Sequence, residues 1–279
     1  MLPSRRGLNL RRLQDHMTNE VEPRPVDQLF DLTGRAAIVT GGSRGLGLEI
    51  AEGLAEAGAS VMLCARRQEW LTPAEQALRN RGFNVTGMLC DVAVPADVEG
   101  VVERTCAEYG AVDILVNNAG ISWGEQAETY PLEKWQKVLD VNLTGAFLFA
   151  QAAGREMLKR RFGRIINVSS VSGLMSLVNG PHYTAYAASK AGLLGLTREL
   201  AASWGRAGVR VNAIAPGFFH SRLADPVLPL VETFIRETNA LPRIGAAGEL
   251  KGVVVFLAAD ASNYITGQTL VVDGGMTVT

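Results

Sequence analysis

Apolar positions recur along this 279-residue chain in two alternating patterns. Short runs that are apolar at nearly every position predict strands at 36–40, 60–64, 84–90, 112–116, 165–168, 209–213 and 270–272. Between them lie longer stretches with helical periodicity, at 45–58, 69–81, 96–109, 132–160 and 183–204, with shorter pieces between 222 and 259. In 45–58 the apolar residues fall at 46, 50, 51, 54 and 55, which share one helix face, and Gly58 stops the run. Strands separated by helices need right-handed crossovers, which build one parallel sheet with helices on both faces. Strands apolar on both sides fit burial under two helical layers. The expected class is therefore α/β, a doubly wound parallel sheet in one domain.

Composition narrows the setting. Hydrophobic residues make up 47% and charged residues 20%, as in a folded globular chain. A net charge of −1 gives no general pull toward nucleic acid or an anionic membrane. No apolar run approaches the roughly 20 residues of a membrane span. Cys64, Cys90 and Cys106 form no CxxC, so they read as reduced thiols in a reducing, cytoplasmic compartment, with no metal site implied. Residues 1–28 form a basic N-terminal extension. Its first 14 residues carry Arg5, Arg6, Arg11 and Arg12 and no acid, a transit-like pattern that Asp15, Glu20 and Glu22 then dilute. It reads as a solvated or oligomer-docked tail. Pro23 and Pro25 mark a linker, and the domain occupies 29–279.

Candidate chemistry sits at the carboxyl ends of the expected strands. The first runs into Thr40-Gly-Gly-Ser-Arg-Gly-Leu-Gly47. Gly41, Gly45 and Gly47 would let the backbone approach a pyrophosphate at a helix N-terminus, where free N–H groups favour anions. The second ends in Arg66 and Arg67 with no acid before Glu69. An NAD site usually places an acid there for the ribose hydroxyls. Arg66, with Arg44 from the loop, instead suits a 2′-phosphate, which favours NADP(H). Asp91 follows the third strand, as an adenine contact or a helix cap. Asn117-Asn118-Ala119-Gly120 follows the fourth, as a close cofactor passage or a turn. Tyr186 and Lys190 stand at i and i+4 on a helix, so phenol and ammonium can face one ligand. A cation beside a phenol lowers its pKa toward the range useful for proton exchange with an alcohol or ketone, against the opposing pull of burial. Ser170, after the fifth strand, could hold a carbonyl oxygen against the phenol.

Together TGxxxGxG at 40–47, NNAG at 117–120, Ser170, YxxxK at 186–190 and Pro216-Gly217 resemble the short-chain dehydrogenase/reductase family, from about Phe30 to the C-terminus. The resemblance implies a Rossmann-type fold and a catalytic set of Ser170, Tyr186, Lys190 and Asn142. In that set Tyr186 exchanges the proton, Lys190 binds the nicotinamide ribose, and Asn142 holds a proton-relay water. It implies a cofactor site of Gly41, Ser43, Arg44, Gly45, Leu46, Gly47, Arg66, Asp91, Val92, Asn118, Ala119, Gly120, Pro216, Gly217 and Ser221, with Tyr186 and Lys190. Substrate contacts are expected from Ser170, Ser172, His182, Tyr183, Phe218 and Phe219, with Leu174 and His220 as further candidates, under a lid at about 218–244. Leu29–Gly34, Trp204-Gly205 and Val272–Met276 resemble gluconate 5-dehydrogenase-like members, which implies a sugar acid or polyol as the ketone/alcohol substrate. The 3-oxoacyl-(acyl carrier protein) reductases share much of this. Their acidic carrier would need a basic patch, for which Arg222, Arg236 and Arg243 are candidates. A non-catalytic NADP-binding sensor or scaffold is the reading of another class. The family commonly forms homotetramers, with a homodimer as the alternative. Ala187, Ala188, Ala191, Gly192 and Gly195 would form a helix face able to pack closely on another.

Overall fold

Two apolar layers sandwich the sheet in the computed structural model, which describes residues 24–176, 182–221, 224–225 and 227–278. The strands are β1 (Ala36–Thr40), β2 (Ser60–Ala65), β3 (Val85–Leu89), β4 (Ile114–Asn117), β5 (Gly163–Val168), β6 (Val209–Pro216) and β7 (Thr269–Val272). All pair in parallel, in the order β3-β2-β1-β4-β5-β6-β7. The helices are α1 (Gly45–Glu56), α2 (Gln68–Asn80), α3 (Pro95–Tyr109), α4 (Leu132–Leu139), α5 (Gly145–Arg160), α6 (Thr184–Trp204), α7 (Leu228–Thr238) and α8 (Lys251–Ala258).

Alternation along each strand explains why the strands carry no polar face. Ala37, Val39, Val61, Leu63, Ile114, Val116 and Ile166 pack on Ile50 and Leu54 of α1, Leu71 and Leu78 of α2, and Val254 and Leu257 of α8. Ile38, Met62, Cys64, Leu115 and Ile165 point the other way. They pack on Val98 and Val101 of α3, Phe149 and Met157 of α5, and Leu200 of α6. Successive strand side chains face opposite sides, so both sets must be apolar once helices cover both faces.

The strand order reverses between β1 and β4, and ligands of such sheets bind in the crevice outside that switch point. Thr40 ties the crevice together. Its Oγ1 donates to Val116 O at 3.3 Å and accepts from the backbone N–H groups of Asn118 and Ala119, each at 2.9 Å.

Several expectations change in detail. The helix expected over 132–160 is broken by a π-helical turn, Asp140–Thr144, which divides α4 from α5. Such turns are frequent at functional sites, and periodicity alone does not show a single inserted residue. The fourth strand begins at Ile114, and the Asp113 side chain before it joins β1 to the end of α5. Its carboxylate accepts from Ala36 N at 3.0 Å and from Arg160 at 2.8 Å. Pro229 starts α7 and does not break it. The N-terminal extension expected over 1–28 is described from Arg24 onward. Val26–Leu29 form one helical turn, and Arg24 donates to Asp260 at 2.7 Å. The rest of that extension, Arg222 and Pro226 lie outside the described residues.

Candidate active site

A cleft of about 880 Å³ opens over the carboxyl ends of the strands. At its centre the glycine loop leaves β1 and enters α1. Gly41 and Gly45 have φ of 66° and 54°, in the left-handed region that favours glycine. A Cβ at Gly47 would lie 2.3 Å from Gly41 O and 2.4 Å from Asn118 Nδ2. Asn118 Nδ2 donates to Thr40 O at 2.9 Å and Gly41 O at 3.3 Å, so the β4 end clamps the loop. No side chain caps the first turn of α1. Its N–H groups therefore face the cleft as an anion cradle. A dinucleotide pyrophosphate fits this cradle, with Ser43, Leu46, Ala119 and Gly120 along its walls.

At one end of the cleft Arg44, Arg66 and Arg67 line the wall above β2. Arg66 Nη1 stands 3.8 Å from Asp91. Asp91 accepts from Ala93 N at 3.0 Å, closing the turn before α3. Asp91 does not line the cleft, whereas Val92 does. The Asp91 side chain closes that local turn and does not cap α3, whose N-cap residue is Val94.

At the other end Ser170, Tyr186 and Lys190 meet. Ser170 ends the β5 crossover in extended backbone, and its Oγ accepts from Ser172 N at 3.1 Å. The same hydroxyl acts on the Tyr186 phenol and lowers its proton affinity. Ser169, its neighbour, also lines the cleft and donates to Lys190 O at 2.8 Å. Gly173 lets this turn press on α6: a Cβ there would fall 2.7 Å from Lys190 C. Lys190 is buried, with Nζ donating to Val168 O at 2.7 Å and lying 5.5 Å from the Tyr186 ring centre.

The electrostatics modify the expected Tyr–Lys division of labour. Burial raises the Tyr186 phenol above its usual range, the Ser170 hydroxyl pulls it back, and Tyr183 raises it slightly. Burial pulls Lys190 down to about 8. Burial thus opposes, at both groups, the lowering expected of a cation beside the phenol. A phenol that keeps its proton suits donation to a carbonyl oxygen.

Asn142 occupies the π-helical turn. Its Oδ1 accepts from Ile121 N at 2.8 Å, and its Nδ2 donates to Ile121 O and Ser189 Oγ, each at 2.9 Å. The buried side chain thus fixes the strand-to-loop exit at Ile121 and the back of α6, one turn from Tyr186. Asn142 does not itself line the cleft.

The expected substrate residues Ser172, His182, Tyr183, Phe218 and Phe219 all line the cleft, together with Pro216, Gly217 and Ser221. Phe219 is buried and blocks the space over Gly245, so it serves the wall more than the lumen. Leu174 is exposed, and His220 pairs with Asp225 at 3.1 Å; neither lines the cleft. Val171, Val227, Val231, Ile235 and Met276 form a small apolar cluster beneath α7, with Met175, Tyr183 and Phe218 against it. Of these, Met175, Val227 and Met276 reach the cleft; Val227 falls within the expected lid, whereas Met276 was not expected there. Met276 comes from the C-terminal segment, which Leu241 N latches by donating to Gly274 O at 2.8 Å. Trp70 also lines the cleft unforeseen, at the arginine end. Only folding brings these distant side chains together, and no motif marks them.

Comparison with known proteins agrees with this geometry. Residues 41–277 match the family described as enoyl-(acyl carrier protein) reductase. The 3-oxoacyl-[acyl-carrier-protein] reductase FabG of Escherichia coli (strain K12) is 40% identical over 247 residues, covering 88% of this chain and 99% of the relative. Gluconate 5-dehydrogenase of Gluconobacter oxydans (strain 621H) is 35% identical over 255 residues, covering 90% and 97%. The crystal structure of a gluconate 5-dehydrogenase from Burkholderia cenocepacia J2315, in complex with NADP and tartrate, superposes with a TM-score of 0.87. That structure is 37% identical, over 91% of this chain and 100% of that one. The chain belongs to the short-chain dehydrogenase/reductase family. Within it, the chain is an oxidoreductase acting on CH–OH or keto groups.

Proposed function

We propose that this chain is an NADP(H)-dependent reductase of ketones, interconverting them with secondary alcohols, and that its substrate has a neutral, largely apolar body. NADP(H) is the cofactor that the arginine end fits, with Arg44 and Arg66 in place of a ribose-binding acid, and a close structural neighbour was solved with NADP. The bound nicotinamide supplies the hydride. Tyr186 donates the proton, Ser170 holds the carbonyl oxygen beside it, and Lys190 supports the ribose. The observation that carries the substrate class is the lining beside Tyr186. Val171, Met175, Phe218, Val227 and Met276 are apolar, and among the described residues no carboxylate lines that end, where Lys190 and the His182 imidazole are the basic groups.

The sugar-acid reading is second. It is supported by the gluconate-acting relatives and by Ser172, Ser176 and His182, which give the cleft a polar wall. The carrier-bound reading has less support. Arg236 pairs with Glu232 at 2.6 Å, Arg243 grips Glu249 with both Nη groups at 2.8 and 2.7 Å, and neither lines the cleft. A panel of neutral aliphatic and aromatic ketones, 5-keto sugar acids and 3-oxoacyl thioesters with NADPH tests the order. Neutral ketones are expected to give the highest kcat/KM. A keto sugar acid ahead of all of them would overturn this reading in favour of the second. The absence of turnover across the whole panel would favour a sensor.

A homotetramer is part of the proposal. On α6, Ala188 and Ala191 are exposed and a Cβ at Gly195 meets no atom within 4 Å, whereas Gly192 is already covered by Leu143. Light scattering measures the assembly directly, and a monomer would refute it.

A further inference from the structure

The arginine end of the cleft contains an aromatic ring that the reaction does not explain. Trp70 lies in the first turn of α2, four residues beyond Arg66, and remains 43% exposed. An exposed indole costs contact with water and gains nothing from the core, which at this position takes Leu71 instead. Trp70 lines the same wall as Arg44, Arg66 and Arg67. The Arg44 guanidinium carbon sits 5.1 Å from the centre of its ring. Arg44 is the residue immediately before α1, in extended backbone, and its long side chain has many rotamers. A flat guanidinium stacked on an indole face keeps its plane, and with it the direction of its in-plane N–H fork.

We propose that Trp70 is a positioning residue for the 2′-phosphate of the cofactor, holding Arg44 as a pre-oriented fork and so helping the enzyme discriminate NADP(H) from NAD(H). The ring acts through Arg44, and Arg66 supplies the other cation from the β2 end. Preorganisation lowers the entropy lost when a flexible arginine is fixed on an anion. The inference rests on the NADP(H) reading above and is independent of the substrate class.

The test needs no turnover. Isothermal titration of adenosine 2′,5′-bisphosphate and of AMP compares two ligands that differ only in the 2′-phosphate. The variants are Trp70→Leu, Trp70→Phe, Arg44→Ala and the double variant Trp70→Leu/Arg44→Ala. Trp70→Leu should weaken the bisphosphate about two- to fivefold, the size of a partly exposed cation–π contact, and leave AMP unchanged. Trp70→Phe should recover most of that loss. In the Arg44→Ala background the Trp70 effect should vanish, because the two residues act as one unit. An equal loss for both ligands would place the ring on the adenine, overturning the proposal. An undiminished effect without Arg44 would do the same, as would unchanged binding in Trp70→Leu. If Trp70→Leu does not fold, Trp70→Gln, alone and combined with Arg44→Ala, takes its place in the same cycle. A wild-type protein that binds AMP as tightly as the bisphosphate would refute the NADP(H) reading itself, a result distinct from every outcome above.

Discussion

At the scale of single residues, the site depends on where three side chains hold their protons and charges. Tyr186 keeps its phenolic proton through burial, and Ser170 is its partner. Tyr186→Phe retains the ring and should retain NADPH binding while losing about 10²–10⁴-fold in kcat, the usual contribution of general acid catalysis. Turnover close to wild type would remove Tyr186 from the role. Lys190 is held at about 8 against an ordinary 10.5 by burial. Between those values the unfolded chain binds more protons than the folded one, so stability rises with pH across that window. Methionine does not titrate. The unfolding free energy of wild type relative to Lys190→Met should therefore shift in favour of wild type from pH 8 to 10.5. Urea denaturation at the two ends measures this, and a shift of opposite sign would mean the ammonium is stabilised in the fold. Arg66 belongs to the cofactor. Hydrogen bonds to charged groups net about 1.5–3 kcal/mol, so Arg66→Ala should cost roughly ten- to a hundredfold in NADPH affinity and little in NADH affinity. An equal loss for both cofactors would make it a surface charge only.

At the scale of elements, the glycine loop and the π-helical turn matter most, because each sets backbone at a strand end. Gly47 is pinned between Gly41 O and Asn118 Nδ2, so no side chain fits without moving the loop or the β4 end. Gly47→Ala should weaken NADPH binding by more than tenfold, as the cradle shifts off the pyrophosphate. Unchanged affinity by titration calorimetry would show that the loop relaxes freely. The TGxxxGxG pattern is legible because glycine is the only residue whose absence of a Cβ the geometry requires. The π-helical turn at Asn142 has no such marker. An inserted residue leaves the surrounding periodicity intact, so the sequence reads as one helix from 132 to 160.

At the scale of the whole molecule, the question is what the N-terminal extension contributes. Arg24 pairs with Asp260, but Arg24 is half exposed and such pairs contribute about 0–1 kcal/mol. A protein starting at Leu29 should therefore turn over at the wild-type rate and keep the proposed homotetramer, with a slightly lower melting temperature. Kinetics and light scattering check both. Loss of the assembly or aggregation would make the extension structural.

The apolar runs at 36–40, 60–64 and 165–168 were enough to specify a parallel sheet covered on both faces, since only a doubly buried strand is apolar at every position. The ordered motifs placed the cradle, Ser170, Tyr186 and Lys190, because each depends on a residue type at a fixed local spacing. What the fold alone decided depends on distance through space. Met276 and Val227 share the lumen though nearly fifty residues of chain separate them, and Trp70 reaches Arg44 from another helix. The proton affinities of Tyr186 and Lys190 likewise come from the surrounding burial. A local pattern carries no record of which remote side chains remove water from a site, and desolvation is set by all of them together.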